Sequence, residues 1–122
     1  SLVPFLRGET PADWRQHVHY EFDFRPAYAD PGDEPPFGLS FDQCSLAVIR
    51  DDKYKYVHFD ALPPIFFDLE EDPGQFRNRA GDPALAGTIL DYAQQMLSWR
   101  LRHADKTLTG YSASPQGLVN RR

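Results

Sequence analysis

The run from Pro64 to Pro83 constrains the fold more than any other part of the chain. Ile65-Phe66-Phe67-Asp68-Leu69 is apolar and aromatic apart from one acid, which suits a buried strand. Glu70-Glu71-Asp72-Pro73-Gly74 is polar and holds two backbone breakers, so the strand has to stop there. Asp82-Pro83 then reads as a helix start. The Asp82 carboxylate can accept from the free N–H groups of a first turn, and Pro83 has no N–H to lose at the first helical position. A strand, a turn and a helix in this order define a β-turn-α unit and name no function.

The rest of the chain supplies what such a unit needs to pack against. His17 to Phe24 alternates: Val18, Tyr20, Phe22 and Phe24 point one way, and His17, His19, Glu21 and Asp23 the other. Cys44–Arg50 and Lys53–Phe59 read as two strands joined at Asp51-Asp52, a β-hairpin. Leu85, Ile89, Tyr92, Ala93, Met96 and Trp99 recur at steps of three and four, with Leu90, Leu97 and Leu101 widening the stripe. The helix they imply packs across the sheet. Arg100, Arg102, His103 and Lys106 suit the negative end of its dipole, and Gly110 is expected to stop it.

The fold class is therefore α+β: a small antiparallel sheet of about four strands with a long C-terminal helix packed across one face. The expected boundaries are a linking helix at 1–10, the sheet at 17–69 with a proline-rich loop at 25–43, the helix at 82–107 and a tail without periodicity at 108–122. Trp14 is expected to be a packing anchor, and Leu2 to Arg7 a short apolar helix ended by Gly8.

With 122 residues, 41% of them apolar, the chain holds one core and needs no staples. The single cysteine excludes an internal disulfide framework. The net charge of −5 argues against nucleic acid as a partner. No apolar run approaches the ~18 residues of a membrane span, so no membrane partner is expected either. The chain opens without Met, directly in an apolar segment, and is expected to be a piece of a longer polypeptide.

Two local patterns invite a chemical reading. His17 and His19, with Glu21 and Asp23 further along the same strand face, have ligand types that can converge on one metal ion; the plainer reading is a sheet face with His–carboxylate hydrogen bonds. Lys53 and Lys55 can hold an anion, or they can simply be solvated lysines that discourage mispairing of the strand.

Phe66-Phe67-Asp68-Leu69-Glu70-Glu71-Asp72-Pro73-Gly74-Gln75-Phe76-Arg77-Asn78-Arg79-Ala80 resembles the "L-Y-D-L-x-x-D-P-x-E-x-x-N-L-A" signature of sulfatases and their relatives in the alkaline phosphatase superfamily. Asp68, Leu69, Asp72, Pro73, Asn78 and Ala80 match, while Phe67, Gln75 and Arg79 stand where the family has Tyr, Glu and Leu. Ser1-Leu2-Val3-Pro4-Phe5-Leu6-Arg7-Gly8 resembles that family's "S-L-x-P-x-L-x-G", and Tyr54-Lys55-Tyr56 its "Y-K-Y" hairpin. The ending, with Thr109-Gly110-Tyr111 and Ser114-Pro115-Gln116-Gly117, is similar to tails of the phosphonate monoester hydrolase and phosphodiesterase branch, which reach toward neighbouring subunits.

The resemblance implies a C-terminal subdomain of a hydrolase of sulfate, phosphate or phosphonate esters. It implies a parent that uses a divalent metal, manganese or calcium, and a formylglycine made in a "C/S-x-P-x-R" motif. Cys44 is followed by Ser45-Leu46-Ala47 and lacks that motif, so it reads as a small apolar filler. No catalytic, cofactor-binding or metal-binding residue is assigned to this chain, which is expected to be inactive alone. Its expected partners are the catalytic domain of the same polypeptide and further copies of itself. A free-standing binding or oligomerisation module is the alternative from a different class. The compartment stays open, with the cytoplasm favoured.

Overall fold

The structure is a computed structural model that describes residues 2–25, 36–104 and 111–120. Helix α1 (Val3–Leu6) comes first, followed by strand β1 (Val18–Asp23). Strands β2 (Ser45–Arg50), β3 (Tyr54–Phe59) and β4 (Ile65–Asp68) follow. Together they form one antiparallel sheet in the order β1-β2-β3-β4. Helix α2 (Ala86–His103) follows a short 3-10 turn at Pro83–Leu85. This is the α+β plan that the sequence implies.

The register explains why the helix lies where it does. His19, Ile49, Tyr56 and Phe66 form one row across the four strands, and Tyr20, Val48, Val57 and Ile65 form the adjacent row. Side chains of adjacent rows point to opposite faces. Helix α2 covers the face of the first row: Ala47, Ile49, Tyr56 and Phe66 make one core cluster with its Tyr92 and Met96. Phe66 and Ile49 are completely buried. Leu85, Ile89 and Ala93 pack on the rim of that cluster. Phe5 of α1 meets Trp14 edge-on, with ring centroids 4.6 Å apart.

The helix opens as its sequence dictates. The Asp82 carboxylate accepts from the Ala84 N–H at 2.9 Å, directly ahead of Pro83. It ends at His103, with Ala104 extended; Lys106 and the expected Gly110 stop lie outside the described residues. The β2–β3 hairpin also folds as read, because Asp51 Oδ1 accepts from the N–H groups of Lys53 and Tyr54. Of the proline-rich loop, the described part makes 3-10 turns at Pro36–Gly38 and Phe41–Gln43. The rest of that loop, residues 26–35, lies outside the described residues.

Two expectations need correcting. Leu90, Leu97 and Leu101 do not enter the core; they are 56%, 58% and 63% exposed. They recur at steps of seven and four, so they form a second stripe roughly a third of a turn from Tyr92 and Met96. A single sheet contact covers only one stripe of a helix. The tail is not irregular throughout either. Tyr111–Ser114 (β5) pairs with Gly117–Asn120 (β6) in a hairpin around Pro115-Gln116. Pro115 presets the turn, and Gly117 takes φ +110°, a value glycine reaches without strain.

Candidate functional site

The connector between β4 and α2 carries the residues singled out by their pattern, and its geometry shows what they do. Asn78 is the hub. Its Oδ1 accepts from the N–H groups of Phe66 (3.0 Å) and Ala80 (2.9 Å), and its Nδ2 donates to the Pro64 carbonyl (3.3 Å). The Arg79 N–H donates to the Phe66 carbonyl at 2.7 Å. Phe66 lies on an edge strand, so its outward N–H and C=O would otherwise be unpaired. The connector pairs both and closes that edge.

The acids of the connector serve its own turns. The buried Asp68 carboxylate accepts from the N–H groups of Glu70 and Glu71, both at 3.1 Å. Asp72 Oδ2 accepts from the Arg77 N–H at 2.8 Å. Arg79 bridges Glu71 (2.9 Å) and Asp82 (2.6 Å), tying the turn to the helix start. Hydrogen bonds from Arg79, then from the Ala84 N–H, hold the Asp82 carboxyl below the usual carboxylate range. These groups mostly face other parts of the connector or the β4 segment, including Pro64 just ahead of it. The set is a clamp that fixes the angle between strand and helix.

The His17–Asp23 face lies beneath the C-terminal half of α2. His19 stacks flat on Trp99 (centroids 4.6 Å, interplanar 5°), and Trp99 stacks in turn on His103 (4.4 Å). Glu21 pairs with Arg100 at 2.7 Å, and Asp23 with Arg25 at 2.6 Å. His17 lies 3.5 Å from Asp51. The rings of His17 and His19 are 6.3 Å apart and tilted by 49°. The four candidate ligands thus turn to four different partners and do not converge. Among the described residues no three His, Cys, Asp or Glu side chains are placed to hold a metal ion. Burial first, then the neighbouring His17, His103 and Arg102, keeps the His19 imidazole below its ordinary pKa.

The two lysines are likewise engaged. Lys53 lies 3.5 Å from Glu70 and 5.2 Å from the Tyr54 ring centroid. Lys55 donates to Gln75 Oε1 at 2.9 Å. Cys44 is buried, with Sγ 3.4 Å from the Ser40 carbonyl, as a small filler would be.

One contact had no sequence signal. The Tyr92 hydroxyl donates to Asp51 Oδ2, joining α2 to the β2–β3 turn. Burial and the Asp51 carboxylate both push the Tyr92 phenol well up. Burial alone would raise the Asp51 carboxyl. The Tyr54 N–H, the Tyr92 hydroxyl, the Lys53 N–H and His17 together outweigh it and hold Asp51 low. The pair is a carboxylate and a protonated phenol that satisfy one another, which suits anchoring and leaves no free nucleophile.

No family model matches the chain. The multifunctional alkaline phosphatase superfamily protein PehA of Trinickia caryophylli is 60% identical over 121 residues, 99% of this chain and 23% of that protein. The crystal structure of a phosphonate monoester hydrolase of Agrobacterium radiobacter matches with a TM-score of 0.76 and 46% identity, over 100% of this chain and 24% of that one. A 2-O GAG sulfatase shares the fold, with a TM-score of 0.64 and 22% identity over 89% of this chain and 21% of that one. The chain spans about a quarter of the length of these relatives.

Proposed function

We infer that the chain is a piece of a longer hydrolase of the alkaline phosphatase superfamily, corresponding to the C-terminal part of the phosphonate monoester hydrolases and sulfatases, and that its parent hydrolyses phosphonate monoesters and phosphodiesters. The observation that carries this reading is the contrast in identity. Nearly the whole chain matches PehA at 60% and a phosphonate monoester hydrolase at 46%, against 22% for a sulfatase of the same fold. Within that parent the segment is non-catalytic. It packs against the catalytic domain through a preformed sheet-and-helix unit, and it contributes contacts between copies of the protein.

The formylglycine and the divalent ion that such chemistry uses, manganese or calcium, belong outside these 122 residues. Cys44 is buried and lacks the Pro and Arg of the modification motif. His17, His19, Glu21 and Asp23 are each turned to separate partners. Among the described residues none fits either group.

The test is hydrolysis by the full-length protein, with manganese, of a phosphonate monoester, a phosphodiester and an aryl sulfate. The first two are expected to be turned over faster than the third. Preference for the sulfate would move the parent to the sulfatase branch, and no turnover of any would overturn the proposal. Mass spectrometry of a digest is expected to find an aldehyde-bearing residue, in a peptide outside this chain.

A further inference from the structure

Helix α2 is held on the sheet in two different ways along its length. Its Tyr92 and Met96 enter the buried cluster with Ala47 and Ile49 of β2, Tyr56 of β3 and Phe66 of β4. Strand β1 gives no residue to that cluster. Its joint with the C-terminal half of α2 is carried by His19 stacked on Trp99 and by Glu21 paired with Arg100. Both members of that pair are exposed, and an ion pair in water holds weakly. The joint therefore rests mainly on one imidazole against one indole.

That imidazole is poorly placed to carry a charge. Its Nδ1 is buried and has no hydrogen-bond partner among the described residues. A neutral ring can keep its proton on Nε2 and leave Nδ1 bare. A charged ring has an N–H at both nitrogens, and the one at Nδ1 would find no acceptor. The surrounding groups work in the same direction. On its own strand segment lie His17, turned to Asp51, and Glu21, turned to Arg100. From α2 come Asp91, Arg102 and His103, and from β2 the apolar Ile49 lies opposite. Among the described residues Asp91 is the one carboxylate lining the cleft that His19 shares with Ser98 and Arg102. Burial, then His17, His103 and Arg102, keep the imidazole below its ordinary pKa, so the docked ring takes up a proton less readily than a freed one. The attraction of a cation for an indole face works the other way, but it gives the Nδ1 proton no acceptor.

We propose that this joint is an acid-sensitive catch: a proton taken up by His19 releases Trp99 and the end of α2 from β1, while Tyr92 and Met96 keep the rest of the helix on the sheet. The two halves respond differently because they are held differently. Met96 packs within the buried cluster and depends on no imidazole. Tyr92 stays bonded to Asp51, whose carboxyl is held low and so remains charged in mild acid. Trp99, once freed, leaves the last turns of α2 without packing, and a helix end that loses its packing frays.

Hydroxyl-radical footprinting of the full-length protein reads both halves of the helix at once, each rate taken relative to the unfolded protein at the same pH. From about pH 8 to about pH 5, a range in which imidazoles titrate, modification of Trp99 is expected to rise at least threefold and that of Met96 less than twofold. His19→Phe keeps a ring against Trp99 with no charge to gain, and is expected to abolish the rise. His19→Gln, which also gains no charge, takes its place should that variant fold poorly. A constant rate at Trp99 would overturn the proposal. An equal rise at Met96 would too, because the whole helix would then leave the sheet. A rise that persists in the variants would assign the titration to another group and overturn it as well. No readout needs turnover, so the catch stands or falls independently of the proposed hydrolysis.

Discussion

Asn78 shows how one side chain fixes the course of a segment. Three backbone groups depend on it, one of them the N–H of the completely buried Phe66. Asn78→Ala is expected to cost about 2–3 kcal/mol, since a buried donor left unpaired costs about 1–3 kcal/mol and two further bonds go with it. A shift in the midpoint of urea unfolding checks this. Tyr92→Phe removes the hydroxyl that satisfies Asp51 and is expected to cost about 1–3 kcal/mol in the same measurement. His19 gives a pH dependence. Its folded pKa lies below the ordinary 6.5, lowered first by burial and then by His17, His103 and Arg102; it also shares a cleft with Asp91. The fold therefore binds this proton less readily than the unfolded chain does. Its full stability is present above 6.5 and declines as pH falls through 6.5 toward the lowered value. His19→Phe keeps a ring against Trp99 and is expected to flatten that decline in a series of melts across pH.

At the scale of elements, α2 separates side chains that look alike in the sequence. Met96 is 6% exposed within the core cluster, and its neighbour Leu97 is 58% exposed. Met96→Ala is expected to destabilise the fold by about 2–4 kcal/mol, and Leu97→Ala by no more than about 0.5 kcal/mol. Equal losses would mean that the helix presents a different face to the sheet. Periodicity showed that a helix exists here, though the helix starts at Ala86 and ends at His103, inside the expected 82–107. It could not decide which of two apolar stripes meets the sheet, because that depends on how the β4–α2 connector aims the helix. The alternation of His17 to Phe24 similarly established the strand, while the side facing α2 follows from its pairing with β2. The β5–β6 hairpin was not read from the sequence, because residues 111–120 lack the alternation that announces strands. The contact of Tyr92 with Asp51 joins residues 41 positions apart and leaves no local trace in the sequence.

For the whole molecule, the residues that mark the family are those that close an edge strand and launch a helix. Asp68, Asp72 and Asn78 each bond to backbone N–H groups of their own connector or of β4. Their pattern was readable because such turn chemistry tolerates few substitutes. The ester chosen by the proposed parent was not readable, because nothing among the described residues has the geometry of a reacting site. The central claim is that this unit completes a hydrolase without performing its chemistry. The most direct test assays the 122-residue chain beside its full-length parent, on phosphonate monoester, phosphodiester and aryl sulfate substrates with manganese. The account predicts turnover by the parent and none by the chain alone. Turnover by the isolated chain would contradict it and direct attention to the His17–Asp51–Tyr92 cluster.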